Sequence, residues 1–281
     1  MFTATDRYQI VIKAPDSALI ERTLTAAAFG SQPQRWPLPT ATTPPQLWLR
    51  AVASGGQGRY GSAYRDLAVL RRSVSCGRLA SLAHSTQGSF LRQLGWHAQA
   101  RGWDGRALAL AGTDPEARVD ALIGLAADAL GCGRFAAAAT LLTRADSALV
   151  SATVPDRLGV RRRWVGAELA MASGAGDVAV RNAEEAVELA QASEAGARHR
   201  VKSDVVLAAA LCAAGNTERA RAVAQAALDA TRDLGLIPLR WATACLLIDI
   251  GSVTFCAPEL REIRDVCAGQ VRRAGGTWHC A

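Results

Sequence analysis

Along most of the chain apolar residues recur at intervals of three and four, the periodicity of an amphipathic helix. The clearest stretch, residues 121–145, reads ALIGLAADALGCGRFAAAATLLTRA. Leu122, Leu125, Ala126 and Ala129 precede a glycine-containing break, and Phe135, Ala138, Leu142 and Ala145 follow it. Two helices joined by a tight turn, a helical hairpin, account for that pattern. The same arrangement recurs as Gly58–Tyr60–Ala63, Gly95–His97–Ala100 and Gly215–Thr217–Ala220 beside Gly133–Phe135–Ala138, with a degraded copy at Gly174–Gly176–Ala179. The alanines of successive copies are 37, 38, 41 and 41 residues apart. A near-constant period of this size predicts stacked supersecondary units.

The copies resemble the tetratricopeptide repeat, whose second helix opens G-x-[YFH]-x-x-A. The stretch RQLGWHAQARGWDGRALAL, residues 92–110, is similar to repeats common in actinobacterial cytoplasmic proteins. In that register the small residue at the close helix crossing is Ala51, Gly88, Ala126, Ala167 and Ala208 in turn, small because helices approach only where side chains are short. The resemblance covers roughly residues 46–232 and departs from the family in its longer period, in lacking the repeat-ending proline, and in an irregular aromatic at the head of the first helix. It implies an all-α, right-handed TPR-like α-α superhelix of about five hairpins with a C-terminal capping helix pair.

Outside the array, residues 1–30 form an appendage with one helix, opened by Pro15–Asp16–Ser17 and ended by Gly30. Tyr8–Ile12 is the one stretch with strand character. Residues 31–45 carry five prolines from 33 to 45 and read as a linker. Thr113–Asp114–Pro115–Glu116 is a helix-start signal: a capping Asp, Pro at the first position, an acid in the first turn. SATVPD, residues 151–156, ends in a similar one. Residues 233–281 hold two capping helices and a tail; the last helix carries Leu260, Ile263, Val266, Cys267 and Val271 on one stripe.

The formal charge of +7 invites a nucleic-acid reading. Against it, only Lys13 and Lys202 of the 32 basic residues are lysine, a bias that GC-rich codon usage produces. No helix-turn-helix, zinc-finger or aromatic-platform signature accompanies the arginines. The seven cysteines form no C-x-x-C and read as small buried thiols of a reducing compartment; His279–Cys280 is the only His/Cys neighbour pair at the terminus. No secretory signal is visible, and the longest uncharged apolar run, Val205–Ala214, is half a membrane span. A cytoplasmic, soluble protein is expected.

Signatures of catalysis are missing. SGGQG at 54–58 lacks the lysine of a phosphate loop, and there is no H-E-x-x-H or G-x-S-x-G. His97 stands at a packing position; His84 is placed to face the groove. Glu184, Glu185 and Glu188 read as a solvated face. No enzyme activity, cofactor or metal is expected.

The resemblance places the binding surface on the first helix of each hairpin, which lines a concave groove. By register the groove positions are Trp48, Ser85, Ser89, Arg92, Gln93, Asp120, Arg161, Trp164, Glu168 and Lys202. Arg161, Arg162 and Arg163 are consecutive and so diverge around their helix, whereas Arg161 and Trp164 share a face. With Lys202 on the next unit they would offer two exposed cations beside an aromatic anchor, suited to an acidic peptide or helix of a partner protein. The expected function is therefore a non-catalytic protein-protein interaction module, regulatory or scaffolding. Two alternatives stand beside it: nucleic-acid binding through the arginine-rich surface, and a sensory solenoid that takes a peptide or small ligand.

Overall fold

The computed structural model of the chain describes residues 16–192 and 196–279; Tyr8–Ile12 and Cys280 lie outside them. Among the described residues all regular structure is helical. A single helix, α1 (Ser17–Ala28), precedes six hairpins. These are α2 (Pro44–Gly56) with α3 (Tyr60–Ser73), α4 (Arg78–Gln93) with α5 (His97–Leu110), and α6 (Pro115–Gly131) with α7 (Phe135–Val150). They continue as α8 (Arg157–Ala172) with α9 (Gly176–Ala192), α10 (Ala197–Ala213) with α11 (Thr217–Asp233), and α12 (Ile237–Ile250) with α13 (Ala257–Arg273).

The repeated glycine ends each first helix. Gly58, Gly95, Gly133, Gly174 and Gly215 all have φ between 71° and 89°, a conformation glycine adopts without a Cβ penalty. In every copy the following residue donates to the carbonyl five back, as Trp96 N does to Leu91 O at 2.8 Å and Arg134 N to Ala129 O at 2.8 Å. This is the Schellman closure, and it satisfies carbonyls that the helix end would orphan. The motif thus encodes one turn geometry. The same turn, Gly235–Leu236–Ile237, joins α11 to α12.

The alanine of each copy (Ala63, Ala100, Ala138, Ala179, Ala220) is completely buried, as are Ala51, Ala126, Ala167 and Ala208 at the helix crossings. Ala126→Leu is expected to cost about 1–3 kcal/mol by overpacking; an unchanged urea midpoint would refute this packing role. Of the start signals, Asp114 caps α6 by accepting from Ala117 N at 2.8 Å. Asp156 makes no such bond before α8, because its own backbone is already helical. Residues 29–43 have no helix, and the segment lies against the array: Gln57 Nε2 donates to Pro33 O at 2.8 Å and Arg35 O at 2.9 Å. Trp36 stays half exposed under the guanidinium of Arg59.

Consecutive first helices also touch one another, α2 to α4, α4 to α6, and on through α8, α10 and α12. They make an inner wall, with the second helices outside. The wall closes. The capping pair was expected to shield a free end of the stack; instead it meets the first hairpins. Gly61 N donates to Ala274 O at 2.7 Å, His279 N to Leu94 O at 2.8 Å, and Trp96 Nε1 to Thr277 O at 2.7 Å. Val271 is buried in one cluster with Tyr60 and Leu67. Val266 falls off the expected apolar stripe and is half exposed. The thiols also differ from expectation: among the six described, only Cys267 is buried, and Cys76, Cys132 and Cys256 are exposed. No described helix is long and apolar enough to cross a membrane.

Candidate functional site

The inner wall lines a partly open cavity of about 490 Å³, within the usual range for small-molecule sites. All six inner helices contribute to it. So do all ten sequence-derived groove positions: Trp48 from α2, Ser85, Ser89, Arg92 and Gln93 from α4, Asp120 from α6, Arg161, Trp164 and Glu168 from α8, and Lys202 from α10. The divergence of the three arginines is also seen. Arg161 turns to Asp120 on α6, Arg162 to Asp146 on α7, and Arg163 to Glu185 on α9.

Their state differs from the expectation of free, exposed cations. Only 20% of the Arg161 side chain is exposed, and it is ion-paired with Asp120, which also accepts from Ser85 Oγ at 2.6 Å. Burial, reinforced by the charge of Arg92, lowers the Arg161 guanidinium to about 10. Lys202 pairs with Glu168 at 3.3 Å, its ammonium 5.7 Å from the Trp164 ring. His84 turns from the groove to Trp103 on α5, with Nδ1 against Ala80 O at 2.8 Å. Glu184 and Glu185 are partnered by Arg219 and Arg163.

At the α4 side Arg92 bonds to two carboxylates, Asp104 on α5 and Asp128 on α6, the latter at 2.8 Å. Both acids are fully buried. Asp104 fits because Gly88 and Gly124 face it; a Cβ on either would stand 2.5 Å from a carboxylate oxygen. Burial pushes the Asp104 carboxyl up to about 7 despite Arg92, with the charge of Asp128 adding to the rise. Burial disfavours the charged Arg92, yet the two acids outweigh it and raise its pKa.

Sequence reasoning missed Phe29, Arg157, Arg198 and His199, and read His97 as packing only; all five line the cavity. Phe29 comes from the end of α1. It meets Trp48 at 5.3 Å, His199 at 6.3 Å and the Arg157 guanidinium at 4.7 Å, so it stands between three inner helices. His199 stacks on Trp164 at 5.5 Å, and burial holds its pKa well below the ordinary value, so it is neutral near pH 7. The tryptophans are anchored: Trp48 Nε1 donates to Thr86 Oγ1 at 3.1 Å and Trp164 Nε1 to Ser203 Oγ at 2.9 Å.

A signal for the arginines was present. Counting ten residues back from the small crossing residue of the second to fifth units gives Arg78, Glu116, Arg157 and Arg198; counting six back gives Leu82, Asp120, Arg161 and Lys202. Equivalent positions on adjacent helices are neighbours, and the charges pair along these rows. Glu116 accepts from Arg78 Nε at 2.5 Å and from Arg157. Burial opposes its ionisation, but the two arginines hold its pKa below the ordinary value. The first row ends on Arg198, whose neighbours in register are Arg157 and Leu239. Among the described residues no carboxylate pairs with it; its guanidinium donates to Val52 O at 3.2 Å and lies against Gly56. Burial, then the charge of Arg157, lowers it to about 10.

No family model and no curated protein matches the chain significantly.

Proposed function

We propose that this chain is a non-catalytic binding protein that holds a compact ligand, a small molecule or a few residues of peptide, in the cavity ringed by its inner helices. The observation that carries the reading is the partly open, charged and aromatic cavity at the groove face. The size of the cavity is what shifts the reading from a docked partner helix to a compact ligand. A helix is about 10 Å wide with its side chains and needs a long groove, whereas this cavity holds about 490 Å³ and the first and last hairpins bond to one another. The turn geometry and the buried small residues support a right-handed, TPR-like superhelix as the scaffold. A sensory or regulatory role follows if ligand binding biases closure of the ring.

The nucleic-acid alternative receives less support. Arg50, Arg78, Arg157, Arg161, Arg162 and Arg163 each pair with a carboxylate of the fold, which leaves less free positive surface than the net charge implies.

The test is a thermal-shift screen with a small-molecule and short-peptide library, run on wild type and on Ser89→Trp. Ser89 is a half-buried lining position, and the indole would fill the cavity. Compounds that bind should raise the wild-type Tm by mass action and leave Ser89→Trp unchanged. Shifts that persist in Ser89→Trp, or none in wild type, would count against the cavity.

A further inference from the structure

Resting on that reading, we infer that the ligand is an organic oxyanion with a flat apolar body, its charge held by Arg198 and its ring laid on the wall formed by Trp48, Phe29, His199 and Trp164. The charge follows from the end of the register row. Arg157, Arg161, Arg92 and Lys202 each face a carboxylate of the fold. Arg198 lines the same cavity with a backbone carbonyl as its bonded partner and no carboxylate among the described residues. A half-buried guanidinium with no counter-anion among the described residues is less well satisfied than a paired one, and its planar fork matches a carboxylate or phosphate. Gly56 makes the seat, since a Cβ there would stand 2.9 Å from the guanidinium. Gly56 thus leaves room for the guanidinium, and no carboxylate among the described residues neutralises it.

The apolar body follows from the rings. Phe29 touches Trp48 and His199, and His199 stacks on Trp164 at an interplanar angle of 19°. These contacts make a continuous aromatic surface in the cavity that Arg198 also lines. Burial keeps His199 uncharged, so the rings themselves offer apolar faces, flanked by Arg157 and Lys202. An oxyanion bonded to the guanidinium would project its body across that surface, where stacking rewards a planar ring.

Isothermal titration with 1-naphthoate, 1-naphthyl phosphate and the neutral 1-naphthalenemethanol tests this, with Arg198→Gln, Arg198→Lys and Ser89→Trp beside wild type. At least one anion should bind wild type about 10-fold or more tighter than the alcohol, as a charge-assisted bond predicts. The anion that binds identifies carboxylate or phosphate as the preferred group. Arg198→Gln should remove the preference while the alcohol binds as before, and Arg198→Lys should keep part of it. A general loss of structure would weaken all three compounds alike, and that result overturns the inference. So does equal binding of alcohol and anions by wild type, anion binding that survives in Ser89→Trp, or no binding of either anion. In each of these cases library compounds whose stabilisation Ser89→Trp abolishes would still uphold the cavity reading.

Discussion

Arg92→Met is expected to remove on the order of 3–5 kcal/mol of stability at neutral pH, the loss seen when one partner of a buried ion pair is deleted. Arg92 is the shared counter-charge of Asp104 and Asp128, whose side chains have no exposed surface. Without the guanidinium the buried Asp104 and Asp128 carboxyls lose their shared counter-charge in a space shaped by Gly88 and Gly124. A loss of that size is a large part of a typical domain's stability. It should appear as a large drop in the urea midpoint followed by circular dichroism. Adding Asp104→Asn and Asp128→Asn to Arg92→Met should recover most of it, since the uncompensated charge goes with the carboxylates. A wild-type midpoint for Arg92→Met would show that the triad does not hold the α4–α5–α6 junction together.

Local features of this fold were legible before the structure. The turn motif is a short-range instruction, a left-handed glycine with its two backbone bonds, so it can be read residue by residue. The buried alanines are legible for a similar reason: close crossings recur once per period and tolerate only small side chains. The groove positions follow from helical register alone, which is why Trp48, Arg92, Asp120, Arg161, Trp164 and Lys202 all meet at one cavity. Closure of the ring was not legible. It depends on small rotations summed over six hairpins, and its contacts, such as Gly61 with Ala274, join residues 213 apart. The pairing of Arg161 was missed because its own helix was considered without the one before it. Asp120, one period upstream, is the missing half. Gly88 was read as a crossing residue; the space it leaves is filled by the Asp104 carboxylate from the outer helix. Phe29 gave no signal at all, since an appendage helix carries no register relative to the repeats.

The pH dependence of stability should expose the same triad. In the unfolded chain Asp104 titrates near its ordinary value of 3.8, whereas in the fold burial moves it to about 7. Below about pH 4 both states hold the proton and the group contributes its full stability. As pH rises from about 4 to 7 the unfolded chain releases the proton first and is favoured, so the contribution is lost across that window and stays lost above it. Three pKa units set an upper bound of about 4 kcal/mol. Other groups oppose the trend: Glu116, with its pKa held down by Arg78 and Arg157, contributes stability that is lost as pH falls. The informative quantity is therefore the difference between wild type and Asp104→Asn, in which the amide oxygen can still accept from Arg92 while the group no longer titrates. Urea midpoints measured from pH 4 to 8 should show Asp104→Asn gaining steadily on wild type and levelling off above 7. A difference that stays flat over that range would mean that Asp104 is ionised throughout and that Arg92 balances both carboxylates unaided. The predicted slope instead says that the triad carries a proton below pH 7, which makes the packing around Arg92, itself part of the cavity wall, sensitive to pH near neutrality.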